Sequence, residues 1–468
     1  PDIADEPEID HTIGFVEHRY LQRAQIDHVL LIEIDDASGR ADQNIDAYFV
    51  GGLVRDELMQ RSAKRDIDLA IDGDAIELAR AFADAQGGAF YLMDEEHNVA
   101  RVILKDTYID FAQLRGSLRE DLSTRDFTIN AMARQLGSHE LTDPFHGQKH
   151  LETQQVCSVS DDIFKNDPVR LLRAVRLAGE LNFVIGAHTE KLMQRDAPLL
   201  AFASMERARD ELCKILALPD PIPSLRQMDD LGLLAALLPE ITALKGITQS
   251  APHVYDVFEH TLHVVAELVK IQAHEYDQVV NDELVAELKA HFAQPVSADR
   301  ARGTLLRVAA LTHDIGKATT RSVDATGAVH FYQHEPRGAE MSDVILRRLR
   351  FSNTEIEIVT RVVTHHLRPA MLARDSHVTN RAAYRFFRDI GDAGIDTCVI
   401  ALADGRGKAS PNIDIQIDAQ QRATNAILLN RSFRAAKTVI TPPSIIDGNV
   451  LITELRLKPG PRIGELLE

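Results

Sequence analysis

Two hydrophobic rhythms divide this chain. Between Ala47 and about Ala133, short apolar runs recur as AYFVGG, DIDLAID, VARVIL and TYIDFA, and each predicts a strand. Between the second and third, Ile76–Gln86 repeats apolar residues at helical spacing. After about residue 150 the strand rhythm fades. PVRLLRAVRLAGEL, SMERARDELCKILAL and SLRQMDDLGLLAALL predict helices, as does the remainder to about residue 430. Pro219, Pro221 and Pro223 mark one loop and Ser250–Pro252 another. The tail KPGPRIGELLE predicts a short helix after a Pro/Gly turn. The first 45 residues are acidic, with a mixed segment, Tyr20–Ile34, that fits a helix followed by a strand. No internal repeat or low-complexity tract is visible. The expected fold class is α+β: a small mixed α/β head, a mostly helical middle and an all-α C-terminal domain. The expected divisions are 1–150, 151–252, 253–410 and a helical tail at 411–468.

At 468 residues the chain is too long for one compact domain, and 45% hydrophobic with 26% charged residues is ordinary globular composition. No apolar stretch has the length of a membrane span, so no membrane partner is expected. The N-terminus carries Asp2, Asp5, Glu6, Glu8 and Asp10, the opposite of a basic signal-peptide start. Three scattered cysteines, Cys157, Cys213 and Cys398, form neither a CxxC pair nor a disulfide framework, and a reducing cytoplasm fits them best. A net charge of −19 argues against a protein that simply coats nucleic acid. Any nucleic-acid contact must therefore come from a local site.

Gly51-Gly52-Leu53-Val54-Arg55-Asp56 follows a predicted strand and opens a predicted helix. Glycines there let backbone approach a ligand, and helix N-terminal N–H groups attract phosphate, although for such a pair alone an ordinary strand-to-helix turn is the commoner explanation. Further on, Asp66 and Asp68 alternate with Ile67 and Leu69. On a strand the two carboxylates share one face and the two aliphatics the other. Like charges side by side repel, and a divalent cation would offset that. The alternative is a solvated strand edge. Asp110, in TYIDFA, adds a third carboxylate and tips the balance toward a metal site. Such a set would activate an attacking hydroxyl and stabilise a leaving pyrophosphate in an in-line transfer.

GGLVRDEL, RDIDLAI, YIDFAQLRG, RDFTINAMA, DPFHGQKHL and DPVRLLRAVR follow one another in that order over roughly residues 47–185. Together they resemble the head and neck of the class II tRNA nucleotidyltransferases, kin of the bacterial poly(A) polymerases. The resemblance implies that Asp66 and Asp68 hold catalytic Mg²⁺ with Asp110 in support, and that Gly51, Gly52 and Arg55 face the triphosphate. It implies that Arg125, Asp126 and Asn130 handle the ribose and phosphates, and that Asp167 and Arg170 read the base. A carboxylate and a guanidinium at i, i+3 share a helix face and could meet the Watson–Crick edge of cytosine or adenine, though an ordinary surface pair has the same spacing. Arg170, Arg173 and Arg176 form a basic stripe, either a solvated face or a track for the tRNA acceptor end. Two departures stand out. Asn166 occupies a position where family members commonly carry Glu, and the stretch from Asp110 to Arg125 is short. Longer loops there accompany switching from C to A addition, so the short one raises addition of C alone.

A second constellation follows: VFEHTLH with His260 and His263, LTHDIGK with His313, Asp314 and Lys317, YQHE with His334, THHLRP with His365 and His366, and LADG with Asp404. An adjacent His–Asp joined by a distant His and a distant Asp can bind a metal with open positions for water. Any one of these histidines alone reads better as a surface or core residue, and His365 and His366 cannot both face one ion. Over roughly residues 255–410 the set resembles the HD superfamily of metal-dependent phosphohydrolases. That implies His260, His313, Asp314 and Asp404 as ligands of one metal, and His334 and His365 at the extra positions of two-metal members. It places Lys317 near a phosphate. A divalent transition metal or Mg²⁺ suits a His/Asp set.

The leading expectation is therefore a template-independent enzyme adding C, or C and A, to tRNA 3′ ends from CTP and ATP, with a second phosphohydrolase activity. A poly(A) polymerase shares the head, but the acidic chain and the HD region favour tRNA. An HD hydrolase whose N-terminal half only binds nucleotides or RNA is the rival from another class.

Overall fold

A computed structural model of the chain describes residues 45–61, 66–105, 107–138, 140–274, 282–297, 300–375, 377–408, 415–440 and 448–453, with 457, 458, 460 and 462. The Tyr20–Ile34 segment, Arg65 and most of the expected terminal helix lie outside the described residues. The chain forms two compact units, Pro1–Leu200 and Ala201–Glu468.

The first unit is built on a seven-stranded sheet of order β3-β4-β5-β2-β1-β6-β7. Its strands are β1 Asp46–Val50, β2 Asp66–Asp72, β3 Ala89–Asp94, β4 Val99–Leu104, β5 Thr107–Gln113, β6 Ala133–Gln135 and β7 Leu141–Thr142. Only β2 and β5 run parallel; the other pairs are antiparallel. Alternation in DIDLAID does what its pattern predicts. Ile67, Leu69 and Ile71 are buried with Ile109 and Phe111 under helix α2, Ala75–Gln86, while the carboxylates take the other face. Helix α2 buries Ala75, Leu78, Ala79, Phe82 and Ala83, a single apolar stripe. It starts where Asp74 accepts from the Glu77 N–H and stops at left-handed Gly87. A second, smaller cluster of Val50, Ala70, Leu122, Ala131 and Ala133 lies on the carboxylate face.

The unit also holds α1 Gly52–Leu58, α3 Leu118–Ser123 and α4 Arg170–Leu181. The strand β3 had no counterpart in the sequence reading: AFYLMD is an edge strand exposed except at Phe90, which packs against the core, so burial leaves no alternation to read. The helical middle also contains a short parallel pair, Gln155–Val156 with Val184–Ile185.

The second unit is mainly helical, and its helices include α5 Met205–Leu216, α6 Ile222–Asp230, α7 Val257–Gln272, α8 Arg302–Thr312, α9 His334–Arg348, α10 Asn353–His365 and α11 Gly394–Gly407. The expected helix SLRQMDDLGLLAALL is two, broken at Gly232 with φ 76°. Pro221 and Pro223 lie at the start of α6 rather than in an open loop, since a helix N-terminus needs no proline N–H. Two small hairpins, Pro295–Ser297 with Arg300–Ala301 and Arg321–Val323 with Val329–Phe331, interrupt the all-helical pattern expected there.

Candidate active sites

In the first unit, strand register assembles the carboxylates. Asp68 lies opposite Asp110 across the parallel β2–β5 pair, and Asp66 opposite Tyr108. On the other side Asp68 pairs with Val50, the residue before Gly51. Gly51 has φ 75°, and a Cβ there would stand 2.9 Å from Asp68 Oδ2 and 3.4 Å from an Arg125 guanidinium nitrogen. The turn thus brings bare backbone against the carboxylate, which only glycine allows. Burial pushes the Asp68 carboxyl above its usual range; Arg125 opposes this, while Asp110 and Asp66 add to it. A half-buried carboxylate among like charges is a fitting cation ligand.

Behind this row runs a polar network. Arg55, buried, donates to Asp56 at 2.9 Å and to Asn130 Oδ1 at 2.8 Å. Asn130 donates to Asp126 at 3.1 Å, and Arg173 of α4 donates to the other Asp126 oxygen at 3.0 Å. Burial works against the Asp126 charge, but Arg173 and Asn130 hold its pKa below the usual value. Arg170 donates to the Thr124 carbonyl at 2.9 Å, and its Nε stands 3.7 Å from Asp167. Arg176 pairs with Glu180 at 2.6 Å. The three arginines expected as a solvated stripe or a track therefore each have an acceptor within their own unit. The structure also adds a residue that the sequence reading passed over. Arg101, directly across β4–β5 from Asp110, grips it through two bonds of 2.6 and 2.7 Å. The sequence signal was partial: Arg101 is the one charge in VARVIL, but only the strand register puts it on the carboxylate face.

In the second unit, α7 supplies His260, the end of α8 supplies His313 and Asp314, the start of α9 His334, the end of α10 His366, and α11 Asp404. His260 Nε2 lies 3.0 Å from Asp404 and 3.4 Å from Asp314; His313 Nε2 lies 3.2 Å from Asp314. Asp314 Oδ1 then faces His334 at 3.4 Å and His366 at 3.7 Å. Asp314 is thus shared by two groups, His260–His313–Asp314 and Asp314–His334–His366. His313, His334 and His366 each place Nδ1 2.8 Å from the carbonyl three residues back: Ala310, Phe331 and Val363. That bond fixes the proton on Nδ1 and aims a bare Nε2 inward. The Nε2 atoms of His260, His313, His334 and His366 are buried without a hydrogen-bond partner, the state of imidazoles arranged for a cation.

His366, not His365, enters this group. The two are successive at the end of α10, so about 100° of helical rotation separates them, and His365 points away, half-buried near Arg368 and Asp389. Burial and neighbouring His313 push His366 down to about 3, keeping it neutral. His263 stacks on Tyr255 at 4.3 Å, clear of the cluster. Burial would raise the Asp314 carboxyl, but His313 and Lys317 hold it well below the carboxylate range. Lys317 donates to Asp314 at 2.6 Å and to Gln249 at 2.7 Å. His253, missed in the sequence, packs edge-on to His260 at 5.1 Å, and burial and Lys317 lower it to about 4. Gly316 lets α9 close on the HD turn, since a Cβ there would run into the His334 carbonyl.

Fold and site together define a nucleotidyltransferase with a poly(A) polymerase type of head joined to a histidine/aspartate metal domain. Residues 47–117 and 115–157 match the Poly A polymerase head domain, and 257–405 the HD domain. Residues 182–245 match the probable RNA and SrmB-binding site of polymerase A. An A-adding tRNA nucleotidyltransferase of Deinococcus radiodurans is 33% identical over 429 residues, covering 90% of this chain and 89% of that protein. A CC-adding tRNA nucleotidyltransferase of Geobacter sulfurreducens is 43% identical over 194 residues, 41% of this chain and 45% of that protein. The Thermotoga maritima CCA-adding enzyme, solved with tRNA, shares the fold with a TM-score of 0.60 at 21% identity, over 95% of this chain and 89% of that one. The chain belongs to the tRNA nucleotidyltransferase family. Among its described residues no helix is long and apolar enough to cross a membrane.

Proposed function

We propose that this chain transfers nucleotides from CTP, or CTP and ATP, to the 3′ end of tRNA, working in the cytoplasm. The parallel register that sets Asp68 beside Asp110, next to the Gly51 turn, carries this reading. Asp66 and Asp68 would hold Mg²⁺, which when bound neutralises charge developing on the transferred phosphoryl group. Gly51, Gly52 and Arg55 cradle the triphosphate. Arg125, Asp126 and Asn130 meet the ribose and phosphates. Asp167 and Arg170 read the base, while Arg173 and Arg176 hold that wall through Asp126 and Glu180. Addition of C alone is favoured over a complete CCA end. The connector from Asp110 to Arg125 is short and pinned by a Ser117–Glu120 capping box, so it supports a pocket of one shape.

The division into a head (1–150), a neck and body (151–252), an HD domain (253–410) and a tail (411–468) is part of the same reading. In the HD domain His260, His313, Asp314 and Asp404 would hold one divalent ion, and Asp314, His334 and His366 a second. Ni²⁺, Mn²⁺ and Mg²⁺ all suit these donors. Lys317 would meet the phosphate of a nucleotide or RNA end. The test is Asp66→Ala: transfer to tRNA is expected to vanish while metal-dependent hydrolysis of bis-p-nitrophenyl phosphate persists. Retained transfer would refute the carboxylate assignment.

A further inference from the structure

The carboxylate row continues past Asp110 to the sheet edge. Register aligns Asp68, Asp110, Arg101 and Tyr91 across β2, β5, β4 and β3, all on one face. At 4.7–4.9 Å per strand the row runs about 14 Å, long enough for more than one nucleotide. Tyr91 is 51% exposed and Tyr108, two residues before Asp110, 38%. The Arg101 guanidinium lies 5.7 Å from the Tyr108 ring centre and its side chain is 36% exposed.

The geometry of in-line transfer says what covers this strip. If the triphosphate sits at the Gly51 turn, the pyrophosphate leaves over β1, and the attacking hydroxyl arrives from the opposite side. The sheet order β1-β2-β5-β4-β3 puts that side over β5, β4 and β3. We propose that Tyr91, Arg101 and Tyr108 form the seat of the acceptor's last nucleotides, a single-stranded RNA 3′ end. Its bases stack on the two tyrosines, and Arg101 meets a backbone phosphate while holding Asp110 toward the terminal hydroxyl. This rests on the triphosphate reading above.

The experiment is steady-state extension of tRNA lacking its 3′ end by the full chain, with fluorescence anisotropy of the same labelled tRNA without nucleotide. Tyr91→Ala is expected to raise the tRNA KM and Kd about tenfold and leave the nucleotide KM unchanged. Tyr91→Phe, which keeps the ring, is expected to match the unsubstituted chain. Undiminished tRNA affinity in Tyr91→Ala overturns the seat. So does a loss that tracks dissociation of an oligomer in light scattering, which would make the β3 edge an interface between copies. If the unsubstituted chain extends no tRNA, the triphosphate reading falls and the seat with it; normal extension with a silent Tyr91→Ala removes the seat alone.

Discussion

His365 and His366 differ by one step of helix, and that step decides which can hold a cation. His366 donates through Nδ1 to Val363 and presents a buried Nε2 toward Asp314, while His365 faces Arg368. His366→Ala is expected to bind one ion fewer per chain than the unsubstituted protein, read by elemental analysis after dialysis against Mn²⁺. His365→Ala is expected to leave the stoichiometry unchanged; equal losses in both would contradict the assignment. The sequence showed that one of the pair belongs to the site, but choosing between them needs the phase of α10 against four other elements. Asp66, Asp68 and Asp110 were easier to read, because alternation on a strand fixes the face without knowledge of the neighbours. Arg101 was hidden for the converse reason: its partner lies across a strand pair whose register no local pattern states.

Elements hold these residues in place through a few tight contacts. The β1–α1 turn is one. Gly51→Ala would add a Cβ 2.9 Å from Asp68 Oδ2 at a residue with φ 75°. With ψ −143° this is a region essentially reserved for glycine, so the strain is roughly 1–3 kcal/mol in stability, and transfer is expected to fall far more than the melting temperature, because the carboxylate itself must move. The α10 start is another. Glu355 is fully buried and accepts from Arg300 at 2.7 Å, Ser297 at 2.8 Å, and the Ser352 N–H at 2.8 Å. Burial alone would raise its carboxyl, but Arg300 and Ser352 hold it at about 2 instead of 4.5. A depressed carboxyl stabilises the fold in full above its unfolded value and loses that contribution as pH falls from about 4.5 toward 2. Glu355→Gln should cost roughly 1.5–3 kcal/mol near neutrality by removing the charge-assisted bonds from Arg300, which keeps Asp210 at 2.9 Å as its other carboxylate partner. Urea melts should show the gap to the unsubstituted chain narrowing below about pH 4.5; a gap independent of pH would contradict the ion-pair account. Edge strand β3 was the element least legible in sequence, being exposed at every residue but Phe90, whereas α2 was readable because its single apolar stripe and Gly87 stop are local.

At the scale of the whole chain, each candidate site lies within one compact unit, the carboxylates in the first and the histidines in the second. The order of motifs made the pairing of a transferase head with an HD domain legible, because each motif carries its own local geometry. The net charge of −19 was informative in the other direction: the RNA end must be recognised at a site, as the strip beside Asp110 allows, and not by general attraction. The central claim is tested most directly by incubating the full chain with Mg²⁺ and tRNA lacking its 3′ end. CTP and ATP are supplied separately and together, and products are resolved at single-nucleotide resolution. Two C residues followed by a stop, with ATP present, is the expected result. A complete CCA end would contradict the one-shape pocket, long A tails would favour poly(A) synthesis, and no extension at all would contradict the function itself.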